Sequence, residues 1–261
     1  MLFERRVHDV SELLREVKQF RRNRRLMPFW FRGSVNRKYK LVPSIGRKPF
    51  QVDRERALVN LFKQNAVQFI DKRPQSEWEW LFVARHHTVP TRLLDWTESP
   101  LIALYFATHS VDPRWAKIEA GKDGALWLLL PTKLNEMSTA VRHTSDFALP
   151  IFEDSDAILH NYLPSVLAQS PPSSTKVDPV AGIAERHSVR MQAQRSVFTV
   201  THRSQTPIEA IGDGSHIGRF IIPRTAKERI RKELEALRVD RLTVFPELDN
   251  AAFMARRPYD G

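Results

Sequence analysis

The segment from His86 to Ala107 is the part of the sequence richest in side chains that could do chemistry. Large apolar residues alternate there with polar residues of the types found in binding sites: Thr91, Arg92, Asp95, Thr97 and Ser99. This pattern places polar side chains on a short strand or turn above a hydrophobic core, as in a ligand pocket. A structural interpretation is also open, in which Arg92 pairs with Asp95 and Ser99 caps a helix. That interpretation gives no reason for Trp96 to lie among so many polar neighbours.

The adjacent His86 and His87 raise the question of a metal site, with Asp95 or His109 as a further ligand. Neighbouring residues of a helix point about 100° apart, so the two histidines cannot easily bind one ion together. The sequence also lacks the His-Glu-x-x-His spacing of many zinc enzymes. We therefore predict no metal site, and expect one of the two histidines to orient a polar site.

Several common classes of enzyme are excluded by absent motifs. The chain has no glycine-rich loop followed by Lys-Ser or Lys-Thr, no Gly-x-Gly-x-x-Gly and no serine elbow of the hydrolase type. It contains no cysteine, which excludes disulfides, thiolate metal sites and cysteine nucleophiles.

The positive charge of the chain is concentrated near its start. The 261 residues carry 41 Lys and Arg against 30 Asp and Glu, for a formal net charge of +11. Residues 1–50 hold 14 of the basic and 4 of the acidic residues, so nearly all of the excess lies there. The densest cluster is Arg21, Arg22, Arg24 and Arg25. These arginines could contact the phosphates of a nucleic acid or nucleotide, or they could form a solvated helix face that complements the helix dipole.

Capping residues and apolar spacing predict the order of the elements. Asp9, with Glu12 three residues later, begins a helix that runs to about Arg25, and residues 1–28 form a basic N-terminal helix ahead of the main domain. Four further helices are predicted, at residues 54–70, 76–87, from Ser99 onward, and 225–237. Asp53 is expected to cap the first of them, with Leu61 and Phe69 facing inward. Thr225 and Glu228 are expected to form the capping box of the last. The predicted strands are residues 29–33, 125–130, 197–201, 217–222 and 241–245.

Helices early in the chain and strands later, without strict alternation, predict an α+β fold. Residues 29–261 are predicted to form one domain, interrupted by a flexible Pro- and Ser-rich loop near residues 169–176. No apolar run approaches the roughly 20 residues of a membrane helix, and the N-terminus does not resemble a signal peptide. We therefore expect a cytoplasmic protein without a membrane partner.

Several blocks of the sequence resemble the FRG domain. They are Phe31-Arg32-Gly33, the run from His86 to Thr97, the run from Ser99 to Ala107, and the later blocks at 190–199 and 245–249. The resemblance extends over roughly residues 29–253. Where the family often has Gln-His-Tyr-Gly, this chain has Arg85-His86-His87-Thr88, so contacts of that glutamine or glycine are not carried over. The family is found mostly in bacteria and phages and is suspected in defence or toxin settings, which implies an antitoxin or another defence-system protein as partner.

A second resemblance, to ADP-ribosyltransferases, implies a mechanism. The order of an Arg-Gly strand, a serine ahead of Ala-x-x-Phe on a helix, and a late acidic or amide strand is similar in both. It implies an ADP-ribosyltransferase-like fold, with helices packed on small, mainly antiparallel sheets and NAD as co-substrate.

In such a site Arg32 would hold the phosphate and ribose of NAD, and Ser99, or Ser99 with Thr97, would brace the nicotinamide ribose. The third role belongs to a glutamate in that fold, but this chain has Gln194 at the matching position. Gln194 itself, or a carboxylate from Asp95 or Glu247, would have to take it. The other residues expected to line the NAD site are Gly33, His86, Thr91, Arg92 and Trp96.

The resemblances therefore imply an NAD-dependent ADP-ribosyltransferase-like toxin or antiphage effector, or an NAD glycohydrolase. The basic cluster at residues 21–25 favours RNA or DNA as acceptor. The alternative is a non-enzymatic module of a defence system that binds nucleic acid or protein.

Overall fold

The chain folds around one mixed sheet with helices on both of its faces. The computed structural model describes residues 1–22, 24, 27–47, 52–110, 116–138, 149–169 and 177–256. The strands are β1 (Phe3–Arg6), β2 (Trp30–Ser34), β3 (Leu93–Thr97), β4 (Gly124–Leu129), β5 (Val180–Gly182), β6 (Ser196–Val200) and β7 (Ile217–Ile222).

Eleven α-helices accompany the sheet in the described part of the chain. They are α1 (Val10–Arg21), α2 (Glu55–Ala66), α3 (Glu77–His86), α4 (Pro100–Thr108), α5 (Ala116–Ala120), α6 (Pro131–Met137), α7 (Pro164–Gln169), α8 (Val189–Ala193), α9 (Lys227–Ala236), α10 (Arg241–Val244) and α11 (Leu248–Arg256). None of these helices is long and apolar enough to cross a membrane.

The seven strands follow the order β1-β7-β4-β2-β3-β6-β5. β1 runs parallel to β7, and every other neighbouring pair is antiparallel. The α+β class and the mainly antiparallel pairing are thus confirmed. The expectation of several small sheets is wrong, because all seven strands join one sheet.

The sheet is nearly divided between β2 and β3. β2 pairs with β4 along its whole length, and β3 does the same with β6. Within these described strands, however, β2 and β3 are paired at the single position Phe31–Thr97. The two strands therefore diverge beyond this pair, and the gap leaves polar backbone groups of β3 without ladder partners.

Alternation along the strands fills a separate core on each face of the sheet. Phe31 of β2 faces a cluster that includes Leu13 of α1 and Leu104 of α4, whereas its neighbour Trp30 faces the opposite cluster with Trp127. A third cluster around Trp78 of α3 and Phe198 of β6 lies under the other half of the sheet. Burial of these large rings supplies much of the driving force for folding.

β2 approaches α4 closely because both contribute small residues. A Cβ atom at Gly33 would lie 1.8 Å from the Ala103 carbonyl oxygen and 2.6 Å from the Ala107 nitrogen. Only glycine permits this contact, which fixes the helix that follows β3 against the strand that carries Arg32.

Capping signals predicted the helix starts well. Asp9 accepts a hydrogen bond from the Glu12 amide and Ser76 from the Glu79 amide, as expected. α1 ends at Arg21, however, and Arg25 lies outside the described residues. The predicted loop at 169–176 also lies outside them except for Gln169, which ends α7.

Four local predictions are wrong. Residues 241–245 form the short helix α10, because Asp240 and Thr243 make a complete capping box that outweighs the β-favouring composition. Leu61 and Phe69 are 59% and 80% exposed, so they do not face the core. The caps predicted at Asp53 and Thr225 are also wrong. α2 begins after Arg54 without a side-chain cap, and a 3₁₀ turn at Arg224–Ala226 leads into α9, which has none either. The predictions also omitted β1 and β5.

A buried ion pair joins the start of α2 to β3. The Arg92 Nε donates to Glu55 Oε2 at 2.6 Å, and its Nη1 donates to the Thr201 carbonyl at 3.0 Å. Both side chains are almost completely buried. Removing one partner would therefore leave an uncompensated charge in the interior.

We predict that Glu55→Ala lowers the free energy of unfolding by about 3–5 kcal/mol, because it strands the Arg92 charge. Urea denaturation checks this value. Glu98→Ala, which breaks the exposed pair between Glu98 and Arg186, is the control and should cost about 1 kcal/mol or less. Equal losses in the two variants would contradict a special role for the buried pair.

We predict that Gly33→Ala lowers the free energy of unfolding by about 1–3 kcal/mol, because the added methyl group overlaps the α4 backbone. Gly121→Ala is the matched control, since its Cβ would meet its nearest atom, the Ile118 carbonyl oxygen, at 3.9 Å. The control should change stability by about 0.5 kcal/mol or less. A neutral Gly33→Ala would show that β2 and α4 can separate freely.

Candidate functional site

A cleft of about 400 Å³ opens where β2 and β3 diverge. This volume lies within the range typical of small-molecule sites. β2 and β3 form its floor, and side chains from α3, α4 and α8 contribute to its walls. The single pairing between the two strands is thus the structural cause of the cleft.

Arg32 lies on the floor of the cleft and fills the gap between the strands. Its Nη1 donates to the backbone carbonyl of Asp95, a group that the diverging strands leave outside the β2–β3 ladder. The same Nη1 lies 3.7 Å from Asp95 Oδ2. Burial lowers the pKa of Arg32 to about 10, and the neighbouring charges of Arg85 and Arg47 act in the same direction. The guanidinium remains charged at neutral pH.

Asp95 is held mainly by Arg85 of α3. The Arg85 Nε donates to Asp95 Oδ2 at 3.0 Å, and Nη2 donates to the same oxygen. Burial alone would raise the pKa of the Asp95 carboxyl, but Arg85 and then Arg32 outweigh it, so the pKa lies below its ordinary value. The carboxylate is therefore ionised and already compensated by two guanidinium groups.

Cations outnumber carboxylates in this cleft. Among the described residues that line it, the cationic side chains are Arg32, Lys40, Arg47, Arg85 and Arg190, and the carboxylates are Asp95 and Glu119. Burial and the charge of Arg85 lower the pKa of Arg47. A surplus of partly desolvated guanidinium groups favours an anionic ligand, and planar guanidinium groups suit phosphate in particular.

The rim beside α8 carries His86, Arg190 and Glu247. Glu247 Oε1 lies 3.2 Å from Arg190 Nη1 and 3.7 Å from His86 Nε2. Burial and the charge of Arg190 lower the pKa of His86 to about 4. His86 is therefore uncharged at neutral pH, while Glu247 is 43% exposed at the mouth.

Glu119 of α5 is the second carboxylate of the cleft. The Tyr39 hydroxyl donates to Glu119 Oε1 at 3.0 Å, and the Ser110 hydroxyl donates to Oε2. The side chain is buried. Unlike Asp95, it receives its hydrogen bonds from neutral groups.

The structure brings seven of the predicted site residues to the cleft. Its lining includes Arg32, Gly33, His86, Asp95, Trp96, Thr97 and Gln194. Trp96 and Thr97 are nearly buried, and the Trp96 Nε1 donates to Thr199 Oγ1 at 3.1 Å. The surroundings of Trp96 are thus those of a core residue, and Gly33 serves chiefly the packing of β2 on α4.

Three other predicted residues have structural roles. Ser99 is outside the cleft lining and caps α4, accepting from the Ile102 amide at 3.4 Å. Thr91 and Arg92 are fully buried away from the cleft, where Arg92 pairs with Glu55 and not with Asp95. The expectation that Ser99, Thr91 and Arg92 contact NAD is therefore corrected. The serine before Pro100 accepts a hydrogen bond from the free backbone N–H groups at the start of α4. A buried arginine requires a buried partner, which for Arg92 is Glu55.

Gln194 and Glu247 lie at the rim. Gln194 lines the cleft, and its Nε2 donates to the Val244 carbonyl at 3.0 Å. This contact ties the end of α10 to the cleft wall. Glu247 is not part of the cleft lining, but it contacts two lining residues, Arg190 and His86.

The basic cluster at the end of α1 is only partly free. Arg21 and Arg22 are exposed, but Arg21 lies over the Phe29 ring at 5.1 Å and Arg24 over the Phe20 ring at 4.3 Å. The cleft takes its cations from later in the same basic segment, at Arg32, Lys40 and Arg47.

Sequence reasoning missed Arg85, Arg47, Arg190 and Glu119. Arg85 had a usable signal, because it is a polar residue near the end of a largely apolar helix, directly before the two histidines. Arg47 and Arg190 stand in the basic segment and in the block at 190–199, which did not single them out, and Glu119 has no local signal.

We predict that Ser99→Ala lowers the free energy of unfolding by about 0.5–2 kcal/mol, the cost of a lost helix cap. Urea denaturation of the wild-type protein and the variant provides the measurement. Unchanged stability would show that the Ser99 hydroxyl is not needed to cap α4.

Comparison with known proteins yields one family. A family model described as FRG domain matches residues 27–114. The match covers β2, the α3–β3 segment and α4, and with them Arg32, Arg85 and Asp95. The later blocks at 190–199 and 245–249 lie outside it. No curated protein and no solved structure shows significant similarity to the chain. Residues 27–114 thus match the FRG domain, which confirms over this segment the family that the sequence motifs predicted.

Proposed function

We propose that the cleft binds NAD through its phosphates and that the protein is an ADP-ribosyltransferase-like enzyme. The observation that carries the proposal is the convergence of Arg32, Arg47 and Arg85 on a cleft with one compensated carboxylate between them. Desolvated guanidinium groups gain most from a ligand that brings its own negative charge. The pyrophosphate of a dinucleotide is such a ligand.

Asp95 fixes the geometry of this phosphate site. Arg85 engages its carboxylate, while Arg32 uses one Nη1 hydrogen on the Asp95 carbonyl. Because a guanidinium has five N–H donors, Arg32 retains donors for two phosphate oxygens. In this proposal Asp95 is a positioning residue and does not replace the missing glutamate.

The proposed reaction breaks the bond between C1′ of the nicotinamide ribose and the ring nitrogen. The bonding electrons stay on that nitrogen, so nicotinamide leaves uncharged and C1′ acquires oxocarbenium character. An acceptor oxygen, from water or from a hydroxyl of the acceptor molecule, then bonds to C1′ and releases its proton. The proton passes to solvent at the mouth of the cleft, because His86, whose pKa is lowered to about 4, is a weak base at neutral pH.

We expect the protein to bind NAD and to release nicotinamide, or to transfer label from NAD to an RNA, DNA or protein acceptor. Arg32→Ala should weaken NAD binding about 10- to 100-fold, the value of a lost charged hydrogen bond. Arg186→Ala is the control, because Arg186 pairs with Glu98 outside the cleft lining. Calorimetry measures affinity, chromatography measures nicotinamide, and circular dichroism confirms folding.

Absence of NAD binding, nicotinamide release and label transfer in the wild-type protein would overturn this proposal. Equal effects of the two arginine variants would remove Arg32 from the site.

A second candidate function is a module that binds nucleic acid or a partner protein of a defence system. Exposure of Arg21 and Arg22 at the end of α1 favours it. RNA or DNA binding that weakens steeply with salt, in a protein that shows no reaction with NAD, would support this function instead.

A further inference from the structure

The cleft has a second carboxylate, that of Glu119. Tyr39, Ser110 and Glu119 line the same cleft as Arg32 and Arg47. Glu119 also lines a smaller neighbouring cavity of about 110 Å³ beside Lys227. The carboxylate therefore belongs to the inner surface of the molecule and not to its solvent face.

The hydroxyl partners of Glu119 orient its carboxylate without neutralising it. Burial and the contact with Glu119 raise the pKa of Tyr39, so its phenol stays protonated and donates. Two donated hydrogen bonds leave part of the acceptor capacity of a carboxylate unused, since its oxygens offer about four lone-pair sites.

Lys227 makes its hydrogen bonds to carbonyl groups and not to the Glu119 carboxylate, although the charge of Glu119 opposes the lowering of the Lys227 pKa. The Lys227 Nζ donates to two backbone carbonyls, those of Val35 at 2.7 Å and of Glu119 itself at 3.2 Å. Burial and the charge of Arg231 lower the pKa of Lys227 to about 8. Among the described residues, none brings an ammonium or guanidinium within 4.0 Å of the Glu119 carboxylate oxygens.

Aromatic rings line the cleft beside Glu119, while the cations Lys227 and Arg231 line the smaller cavity. His109 lines both the cleft and the smaller cavity and stacks on Tyr105, with ring centroids 4.0 Å apart. Burial lowers the pKa of His109 to about 4, so it is uncharged at neutral pH. Phe106 lines the cleft from the same helix. A buried carboxylate next to aromatic rings is an environment suited to a flat cationic group.

We infer that Glu119, held by Tyr39 and Ser110, forms a subsite for a flat, positively charged ring, while the arginines of the same cleft bind phosphate. This inference rests on the proposed function, in which the oxidised nicotinamide of NAD is that ring. It assigns the ligand one cationic and one polyanionic end. It also supplies a buried carboxylate, which the sequence analysis expected from Asp95 or Glu247.

The charge of the ring provides the test, because NAD⁺ and NADH differ there while their phosphates are the same. Wild-type protein should bind NAD⁺ more tightly than NADH by about tenfold or more. Glu119→Gln keeps the size of the side chain and one oxygen acceptor, and should reduce this preference to about twofold or less with NADH affinity unchanged. Tyr39→Phe, which retains the charge, should preserve the preference.

Glu98→Gln is the matched carboxylate control, because Glu98 pairs with Arg186 outside the cleft lining. Thermal unfolding of each variant establishes that it folds. A Glu119→Gln variant that keeps the wild-type preference, or one that loses NAD⁺ and NADH affinity equally while folded, would overturn the inference.

A second pair of probes separates this inference from the proposed function. The N-methylnicotinamide cation and uncharged nicotinamide carry no phosphate, so the arginines do not contribute to their binding. Saturation-transfer NMR should show that the cation binds wild-type protein in preference to nicotinamide, and that Glu119→Gln abolishes the preference. If the wild-type protein binds neither dinucleotide, the proposed function fails, and this comparison still decides whether the anionic subsite exists.

Discussion

The contact between Arg32 and Asp95 lies where the sheet is least continuous. β2 and β3 are joined by one register pair, and the Arg32 guanidinium takes the place of the next ladder hydrogen bonds by donating to the Asp95 carbonyl. Arg85 completes the arrangement from α3 by binding the Asp95 carboxylate. The cleft, its charge and the orientation of its arginines all follow from strands that separate around a partly buried ion pair. Gly33 is needed for the same reason, because α4 must lie directly against the strand that carries Arg32.

The electrostatics of the cleft follow from how its two carboxylates are compensated. Asp95 is shared by the guanidinium groups of Arg85 and Arg32, and within the described part of the chain no carboxylate forms a close ion pair with Arg47. Glu119 is held by hydroxyl groups. Charge of both signs is thus desolvated within one cavity, where each interaction is stronger than it would be in water. A ligand with a phosphate end and a cationic ring would compensate both charges at once.

Local signals in the sequence predicted the parts of the fold that depend on nearby residues. The caps at Asp9, Ser76 and Ser99 determine three helix starts, and the strand at 217–222 was located to the residue. The strand predicted at 241–245 failed because a capping box outweighed composition. β1 and β5 were missed because each is short and depends on its partner strand. The apolar pattern of α2 also did not reveal that Leu61 and Phe69 face away from the core.

The candidate site was predictable only where one motif carried it. Arg32, Asp95 and His86 stand in the blocks that resemble the FRG domain, and the cleft contains all three. Arg92 was misassigned because its partner Glu55 lies 37 residues away and belongs to another element. Arg47, Arg190 and Glu119 reach the cleft from separate elements, so only the folded chain brings them together. The family match over residues 27–114 contains Arg47 but neither Arg190 nor Glu119.

The most direct test of the central claim is a crystal structure of the full chain with NAD or its unreactive fragment ADP-ribose. The account predicts pyrophosphate oxygens within hydrogen-bonding distance of the Arg32 and Arg47 guanidinium groups, with the Asp95–Arg85 pair intact. A cleft that stays empty at saturating ligand, or a dinucleotide bound elsewhere with its phosphates away from Arg32, would contradict it.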